Sequence, residues 1–556
     1  MSKKQLLRVA MTFWLILATA CNGAAPAIVT STHPAMPMTT PTPVPGCKGE
    51  EIDLQKYGGA LFQSADAITS RGTTLETILE VKYGDNQIAS CPVQLRSYNG
   101  KLVGPTLRAK PGDTIIITIK NMLPPNPAHQ DMSQPHDFNT TNLHTHGLHV
   151  SPGGISDNVL RKMPPPADGS KEADYPVVIH IPINHPAGTF WYHPHVHGST
   201  AIQVSSGMAG ALIIEGGLDE VPEIKAAQEK IFVFQQIAYD TQGKIEDFNT
   251  SLGFLPNGQA QWANLHRQHT INGQLYPTLT MRPGELQRWR LIHAGVEETI
   301  MATIYGPSVE NLADLESIKK LPVNTLHELA VDGLALGKID DWSQVELQPG
   351  YRSDILVKFE EKGNYYIVDD ARDEKESLSG DAESEKLLAR IQVAGDPPVM
   401  PMLLPQDSEL ASLKPFKDIG DDEITGYQTA VFCMCKDTTT GKLIFTVNGK
   451  PFDEKDQPRQ LKLNAVEEWE VSTAPASLAP SHPFHIHVNP FQVMRTGPDG
   501  KPEIVWKDTF LITSQDPLKP QKLRMRYQEF TGKFVMHCHI LGHEDQGMME
   551  LIEVVR

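Results

Sequence analysis

The sequence predicts an all-β protein made of three consecutive β-sandwich domains with Greek-key connections. The composition favours strands, since the chain contains 43 Pro and 42 Gly and has few long amphipathic helical runs. One hairpin pattern also recurs at a spacing close to the size of a domain. With 556 residues the chain is long enough for about three or four domains of ordinary size, so burial of a core is not limiting.

The repeated pattern begins with an Asn-Gly turn in each copy. Two clear copies start at Asn99 and Asn272, and a more distant third starts at Asn448. Asn-Gly favours a tight hairpin because both residues tolerate a positive φ angle. Each turn precedes a short apolar strand and then an alternating strand, such as Thr114–Lys120 or Glu468–Ser472. Unrelated hairpins with common turn chemistry are the alternative, and the domain-sized spacing favours three related sandwiches.

Composition also indicates where each domain ends. Domain one is predicted over residues 49–217 and closes with the apolar segment "GALIIEGG". Domain two is predicted over residues 221–394, with "IFVFQQIAY" as its first strand. A Pro-rich and charged linker follows over residues 395–424, and domain three occupies residues 425–556.

The N-terminus is predicted to be an export signal over residues 1–21, with a basic start, an apolar core and then small residues. Two cleavage sites stay open. "ATA" fits an ordinary signal peptidase site, whereas "LATAC" resembles a lipoprotein signal in which Cys21 becomes the lipidated first residue. Residues 22–48 are rich in Ala, Thr and Pro, which predicts a disordered tether and favours lipidation. We expect export to the periplasm or cell surface, with a membrane anchor if Cys21 is lipidated.

The charge of the chain restricts its partners. A formal net charge of −18 argues against a nucleic-acid partner, because no basic surface is available to neutralise phosphates. Acidity otherwise indicates little beyond solubility. We expect a monomer that acts on small molecules.

The histidines lie in four segments: "NLHTHGLH", "WYHPHVHG", "SHPFHIH" and "HCHILGH". Each contains a His-x-His pair, and on a β-strand this spacing points both imidazoles to the same face. The four pairs are His144 and His146, His193 and His195, His485 and His487, and His537 and His539. All four lie in domains one and three. The pattern therefore predicts a metal site shared between these two domains, with domain two as a spacer.

Cys538 lies between the two histidines of the last pair and favours copper over zinc. A His₂Cys set with a weak axial Met is typical of electron-transfer copper, and His482, Cys538, His543 and Met548 supply this set. A structural zinc site would be closed and tetrahedral, and it would not need eight further imidazoles nearby.

In these motifs the sequence resembles the three-domain multicopper oxidases, the family of laccases, cuprous oxidases and bilirubin oxidases. The motifs "HTHG", "WYHPHVHG", "HPFHIH" and "HCHILGHEDQGMM" all match, and the resemblance spans nearly everything after the tether. In detail it is more similar to bacterial copper-efflux oxidases than to fungal laccases. The resemblance implies three cupredoxin-like domains and four copper ions: one type 1, one type 2 and a type 3 pair.

The same resemblance assigns the ligands by position. It gives the type 1 copper His482, Cys538 and His543, with Met548 rather than Met549 as the axial ligand because it lies ten residues beyond the cysteine. It gives the type 2 copper His144 and His485. The type 3 ligands it implies are His146, His193, His195, His487, His537 and His539. It leaves His149 and His197 outside the ligand set.

The family's reaction is the four-electron reduction of dioxygen to water, with electrons supplied one at a time by a small reducing substrate. The resemblance makes Glu544 a proton-relay carboxylate, and Asp157 is a plausible second acid near the type 2 copper. The plainer alternatives are a surface ion pair for Glu544 and a turn residue for Asp157. Phenols and aromatic amines compete with Cu(I), Fe(II) and Mn(II) as reductants, and the lack of a Met-rich insert favours laccase-like activity. A non-catalytic copper scaffold is disfavoured because every expected ligand is present.

The remaining cysteines leave several alternatives open. Cys47 and Cys91 could form a disulfide in an exported protein. Cys433 and Cys435, in "FCMCKD", would face the same side of a strand. They could bind extra copper, form other disulfides or be buried as thiols.

Overall fold

The structure is a computed structural model that describes residue 47, residues 52–127, 135–167, 173–246, 266–378, 380–513, residue 516 and residues 519–556. The predicted export signal, Cys21 and nearly all of the predicted tether lie outside the described residues. Within the described residues, no helix is both long enough and apolar enough to span a membrane.

The described strands form six sheets that pair into three sandwiches along the chain. The first two sheets have the orders β3-β2-β5-β7 and β1-β4-β9-β8-β6. Their strands are β1 (Ala67–Thr69), β2 (Thr74–Ile88), β3 (Cys91–Tyr98), β4 (Thr106–Ala109), β5 (Thr114–Asn121), β6 (His144–His146), β7 (Ala173–His180), β8 (Gly188–His193) and β9 (Gly210–Ile214).

The middle sandwich follows with the sheet orders β11-β10-β13-β18-β15-β16 and β12-β20-β19-β14-β17. Its strands are β10 (Gln228–Tyr239), β11 (His266–Ile271), β12 (Thr278–Met281), β13 (Leu286–His293), β14 (Ile300–Ser308), β15 (Leu326–Val331), β16 (Leu334–Trp342), β17 (Gln344–Leu347), β18 (Arg352–Lys358), β19 (Gly363–Asp369) and β20 (Lys386–Val393).

The last sandwich has the sheet orders β22-β21-β24-β29-β26-β27 and β23-β31-β30-β25-β28. Its strands are β21 (Gly426–Lys436), β22 (Leu443–Val447), β23 (Arg459–Lys462), β24 (Val466–Thr473), β25 (His482–Ile486), β26 (Phe491–Thr496), β27 (Pro502–Lys507), β28 (Thr509–Ile512), β29 (Gln521–Arg526), β30 (Gly532–Cys538) and β31 (Met549–Val555).

The same strand pairings recur in all three sandwiches. The parallel pairs β2 with β5, β10 with β13, and β21 with β24 are equivalent. So are the parallel pairs β4 with β9, β12 with β20, and β23 with β31. Each sandwich also has its own large apolar core. The fold-class prediction is therefore confirmed, while the exact domain limits stay a prediction.

The three Asn-Gly turns explain why the repeat was visible in the sequence. Asn99, Asn272 and Asn448 all have φ between 53° and 56°, and the glycine after each has φ of 76° or 77°. In each copy the Asn side chain accepts a hydrogen bond from a strand backbone N–H, at 2.9, 2.9 and 3.0 Å. The turn is therefore built with positive φ at both central positions, as the sequence predicts.

Helices are short in the part of the chain that the structure describes. They are α1 (Leu54–Tyr57), α2 (Thr200–Ser205), α3 (Pro222–Ala226), α4 (Leu315–Ile318), α5 (Asp407–Leu410) and α6 (Leu541–Asp545), with 3₁₀ segments at Gly217–Glu220, Ala411–Leu413 and Asp421–Glu423. Helices α2 and α6 are fully buried, and Asp545 of α6 accepts backbone hydrogen bonds from Gly198, Thr200 and Ala201 at the start of α2. This contact joins the first sandwich to the last one beside the histidines.

The structure pairs Cys47 with Cys91 and Cys433 with Cys435 as disulfides. Among the described cysteines, Cys538 alone is a free thiol, and it is buried.

Candidate metal centre

The predicted ligand residues come together in two groups of buried side chains. One group contains His482, Cys538 and His543, whose ligand atoms lie within 4.8 Å of one another. Cys538 Sγ is 3.5 Å from His482 Nδ1 and 3.8 Å from His543 Nδ1. The other group contains the eight histidines of the four His-x-His pairs, all buried, with His539 joined to it through His146 Nδ1 at 3.3 Å.

The strands position these pairs as the sequence predicts, with one difference. The two rings of each pair lie 5.1 to 5.7 Å apart, so both point to one region. Only the pair on β6 lies wholly within a strand, whereas His195, His487 and His539 follow the ends of theirs. For β8 the reason is Pro194, which has no N–H to continue the sheet. Pairing of β6 with β8 and of β25 with β30 places His144 opposite His193 and His485 opposite His537.

Three imidazoles are held by main-chain carbonyls. The Nδ1 of His193 lies 2.8 Å from Pro194 O, that of His485 2.7 Å from Asp508 O, and that of His537 2.9 Å from Cys538 O. A carbonyl oxygen can only accept, so Nδ1 carries the hydrogen and donates it. The lone pair then lies on Nε2, which is the atom available to a metal ion.

Several Nε2 atoms of the histidine cluster point into a shared space, where they find no hydrogen-bond donor in the described part of the chain. Those of His144, His193 and His485 are buried and have no hydrogen-bond partner among the described residues. Elsewhere two Nε2 atoms face each other, as in His195 and His537 at 3.0 Å. Leaving a buried polar atom unsatisfied costs roughly 1–3 kcal/mol each. A cluster of metal ions resolves this cost, so the residues fit a multinuclear metal site.

Burial sets the protonation state of these groups. Desolvation lowers the pKa of His193 and His482 to about 3 and that of His485 to about 4. The imidazoles are therefore neutral near pH 7, which is the form that binds metal. Burial raises the pKa of the Cys538 thiol, and a bound metal cation reverses this effect because a coordinating thiol is deprotonated.

Met548 and Met549 occupy different environments. Met548 belongs to the same apolar cluster as Cys538, and its carbonyl oxygen accepts a hydrogen bond from the Cys538 N–H at 3.1 Å. Met549 packs instead with Val159 and Val535. Met548 is therefore the methionine that packs in the core of the last sandwich with Cys538, and its role as a ligand stays a prediction.

Glu544 is completely buried and is not a surface residue. Its Oε1 lies 3.3 Å from His195 Nδ1 and its Oε2 lies 3.4 Å from His537 Nδ1. The Thr200 hydroxyl donates to Oε1 at 3.0 Å. Burial, reinforced by the neighbouring Asp545 carboxyl, raises the pKa of Glu544 well above its ordinary value. One carboxyl group thus contacts imidazoles from the first and last sandwiches.

Asp157 lies behind His144. Both of its oxygens are 3.1 Å from His144 Nδ1, and Oδ1 accepts the Thr145 N–H at 3.0 Å. Burial raises the pKa of Asp157 to about 7, although the hydrogen bond from Thr145 opposes this. Its side chain therefore orients a predicted ligand, which a surface turn residue would not do.

His149 and His197 lie outside both groups. His149 Nδ1 lies 2.8 Å from the Val488 carbonyl oxygen, to which it donates. The His197 ring packs against Phe452 with centroids 5.0 Å apart. Neither belongs to a group of possible metal ligands among the described residues.

The middle domain supplies none of the grouped possible ligands among the described residues, as the spacer prediction implies, yet it contacts the histidine cluster directly. Its loop at Gly350 enters the histidine cluster, where φ is +91° and an added Cβ would lie 3.0 Å from the His539 ring and 3.2 Å from the His146 ring. Two residues later, Arg352 forms a buried ion pair with Asp508, which itself contacts His146. Sequence reasoning missed these residues, because isolated charged residues carry no spacing signal.

A cleft of about 1230 Å³ opens between the middle and last domains beside His482. Ser481, Pro480 and Leu478 form one wall next to that imidazole, and Trp342 and Phe510 also line the cleft. The Ser477 hydroxyl lies 3.5 Å from His482 Nε2. Because Ser481 precedes His482 in the chain, the cleft ends next to the thiol-containing group.

Comparison with known proteins agrees with this geometry. Two family models, both described as multicopper oxidase, match residues 80–218 and 423–555. The chain is 27% identical over 471 residues to multicopper oxidase mco of Staphylococcus aureus, with 83% of each chain covered. It is 23% identical over 516 residues to a laccase of Bacillus subtilis, covering 83% of this chain and 90% of the relative.

Solved structures share the fold. A multicopper oxidase of Campylobacter jejuni, described as a metallo-oxidase, superposes with a TM-score of 0.67 at 23% identity and covers 90% of this chain and 97% of its own. A laccase of Pediococcus acidilactici also gives a TM-score of 0.67, at 22% identity, and covers 90% of this chain and 94% of its own.

Proposed function

The chain belongs to the multicopper oxidase family and is a copper-dependent oxidoreductase, and on that premise we propose that it oxidises phenolic or aromatic substrates one electron at a time and reduces dioxygen to water. Bound copper supplies the redox chemistry, since it can accept single electrons from a reductant and deliver four to dioxygen. The residues of the chain hold the metal, exclude water and handle protons.

His482, Cys538 and His543 would hold the electron-accepting type 1 copper, with the thioether of Met548 as a weaker fourth ligand. The neutral imidazoles and the single thiol support this assignment, because His₂Cys with a thioether favours copper at useful redox potentials. Burial of all four side chains keeps water away from the site.

The eight remaining histidines hold three coppers. We assign His144 and His485 to the type 2 copper. The type 3 pair takes His146, His193, His195, His487, His537 and His539. Support comes from the buried Nε2 atoms that have no hydrogen-bond partner among the described residues, because their lone pairs are available to bind a metal ion.

Cys538 is the observation that carries the proposal. Its thiol faces His482 and His543, while the imidazoles on either side of it in the chain, His537 and His539, face the other group. Two covalent paths of a few bonds therefore join the thiolate to the second set of ligands. Such a connection suits electron transfer between the two groups.

Glu544 and Asp157 have different roles in this proposal. Burial raises the pKa of Glu544 and so favours its protonated form, and the carboxyl lies against the outer nitrogens of His195 and His537. It can release that proton as charge develops nearby. Asp157 keeps His144 in one tautomer and orientation, and it supplies a second acid beside the type 2 ligand.

The cleft supports an aromatic reductant. Its lining includes Trp342, Phe510 and Leu478. Two of its carboxylates are already neutralised, since Glu328 pairs with Arg495 at 2.9 Å and Glu346 with Arg372 at 2.7 Å. A flat apolar reductant can thus approach His482 without displacing an ion pair.

The alternative function is a metallo-oxidase that acts on Cu(I), Fe(II) or Mn(II). A specific observation favours it: the exposed side chains of Glu374, Glu376 and Met494 also line the cleft. Carboxylates suit Fe(II) and Mn(II), and the thioether suits Cu(I).

Dioxygen uptake by copper-loaded protein separates these functions. We expect faster uptake with a phenol than with Cu(I), Fe(II) or Mn(II). Cys538→Ser should abolish the blue absorption and substrate oxidation while leaving the other coppers bound. Blue absorption retained in C538S contradicts the assignment, and faster uptake with a metal ion establishes the alternative.

We also propose that the protein is exported as a monomer and that Cys21 is lipidated. Mass spectrometry of the mature N-terminus distinguishes a lipidated Cys21 from cleavage at an ordinary signal peptidase site. Light scattering of the soluble part of the chain gives the oligomeric state, and a dimer mass would contradict the monomer.

A further inference from the structure

We infer that Asp508, held by Arg352, is a positioning residue that makes His146 bind copper through Nδ1 and attaches the middle domain to the copper cluster. Asp508 lies between β27 and β28, and it is not one of the assigned ligands. This inference rests on the proposed function, because it concerns the same copper cluster.

His146 is oriented in the opposite way from its neighbours. His193, His485 and His537 donate outward through Nδ1 and leave Nε2 for the cluster. The Nε2 of His146 instead faces outward, 3.1 Å from Asp508 Oδ1 and 3.1 Å from Thr509 Oγ1. Its Nδ1 faces inward, 3.3 Å from His539 Nε2. Because a carboxylate can only accept, Asp508 places the hydrogen on Nε2 and leaves the lone pair on Nδ1.

Arg352 keeps Asp508 in this position. Its Nη1 and Nη2 donate to the two carboxylate oxygens at 2.8 and 2.5 Å, which is the bidentate geometry of a strong pair. Its other hydrogen bonds go to the carbonyl oxygens of Thr189, Gly350 and Asp332, at 3.2, 3.0 and 2.8 Å. All five N–H groups of the guanidinium are therefore used, and the group has a single orientation.

The contacts of Asp508 span three domains. Its carboxylate contacts His146 from the first domain and Arg352 from the second, and its own carbonyl oxygen accepts from His485 of the third domain at 2.7 Å. The Thr509 hydroxyl donates to Asp508 Oδ1 at 2.9 Å and completes the network. Removal of the carboxylate thus frees one type 3 ligand and leaves the guanidinium with only its longer ion pair to Asp332, at 3.9 Å, whereas it touches none of the type 1 ligands.

Asp354 provides a matched control. It lies on β18, two residues after Arg352, and is buried to a similar extent. It also forms buried ion pairs, with Arg288 at 2.6 Å and Arg290 at 3.2 Å, and it accepts from Thr189 of the first domain at 2.5 Å. None of these partners is a histidine of the cluster. Asp354→Asn therefore disturbs β18, the strand that carries Arg352, and the contact between the first and middle domains, without touching His146.

The test measures how much copper the fully loaded protein retains during dialysis against a chelator. The blue absorption, the near-ultraviolet absorption of the copper pair and the electron paramagnetic resonance spectrum are recorded on the same samples. We expect D508N to retain the trinuclear coppers about 10–100-fold more weakly, which is the usual cost of losing a group that orients a ligand. Its near-ultraviolet absorption should fall while the blue absorption stays. D354N should lower thermal stability but keep wild-type spectra and copper retention.

A second variant covers the case in which D508N does not fold. Arg352→Lys keeps the positive charge but loses the bidentate contact, so it should weaken trinuclear copper retention in the same direction. Wild-type copper retention in D508N or, failing that, in R352K overturns the inference, as does equal loss in D508N and D354N. Wild-type protein that lacks the blue absorption and binds fewer than four coppers would refute the proposed function instead.

Discussion

Replacement of Asp157 by asparagine should remove a pH dependence of stability from the copper-free protein. The carboxyl is buried behind His144, and burial raises its pKa to about 7. In the unfolded chain an aspartic acid has a pKa of about 3.9. The folded protein therefore holds a proton on Asp157 between about pH 4 and pH 7 that the unfolded chain has lost, so stability falls as the pH rises through this window.

The size of this effect follows from the difference in pKa. About three units at 1.36 kcal/mol each correspond to about 4 kcal/mol, with the full contribution present below about pH 4 and lost above about pH 7. The asparagine side chain of D157N does not titrate, and its amide oxygen can still accept the Thr145 N–H. The free energy of unfolding of wild-type protein should thus fall by about 4 kcal/mol relative to D157N between pH 4 and pH 8.

Urea unfolding of copper-free wild-type and D157N protein at several pH values measures this difference. Asp66→Asn is the control, because the Asp66 side chain is 73% exposed in its ion pair with Lys101 and should contribute little to stability. Copper loading should shrink the Asp157 effect, since a cation on His144 favours the carboxylate. If the difference in the free energy of unfolding between wild type and D157N did not change with pH, the burial argument would be refuted.

Three further predictions concern single side chains. Glu544→Gln should slow dioxygen uptake by about 10²–10⁴-fold, because the amide cannot donate the proton, with the blue absorption unchanged; an unaltered rate would exclude proton delivery by Glu544. Cys47→Ser should lower the free energy of unfolding by about 4 kcal/mol through loss of the disulfide to Cys91, as measured by chemical denaturation, and a stability equal to that of wild type would contradict this. Met548→Leu should shift the reduction potential of the blue copper without releasing the ion, and the control Met549→Leu should leave this potential unchanged. A larger shift in Met549→Leu would identify Met549 as the ligand instead.

The sequence allowed the fold and the clustering of the histidine pairs to be predicted, because both depend on local periodicity, while the assignment of the pairs as copper ligands stays a prediction. Asn99, Asn272 and Asn448 mark equivalent turns, since a tight hairpin needs positive φ at fixed positions. His-x-His places two rings on one side wherever the backbone is extended, so the pairs could be recognised before their partners were known. The middle domain gave no such signal, so its contacts with the histidine cluster through Gly350 and Arg352 were not predicted.

Asp508, Arg352 and Asp545 could not be predicted, because their roles depend on contacts between distant parts of the chain. Arg352 and Asp508 are separated by 156 residues, and Asp545 lies 344 residues from Ala201. In the sequence each is one acidic or basic residue among many. Burial gives them their roles, and burial of a single charged residue is decided by the packing of domains, which has no local pattern.

The distances along the chain between the imidazoles determine when copper can bind. His146 and His539 are 393 residues apart, and His195 and His537 are 342 residues apart. Contacts of such long range form late in folding, because each domain folds as a unit before it docks. The first sandwich alone offers only half of the imidazoles, and the thiol arrives with the last strands. A partly folded chain therefore has no complete histidine cluster, and the copper ions assigned to that cluster bind only after the last domain has docked onto the first.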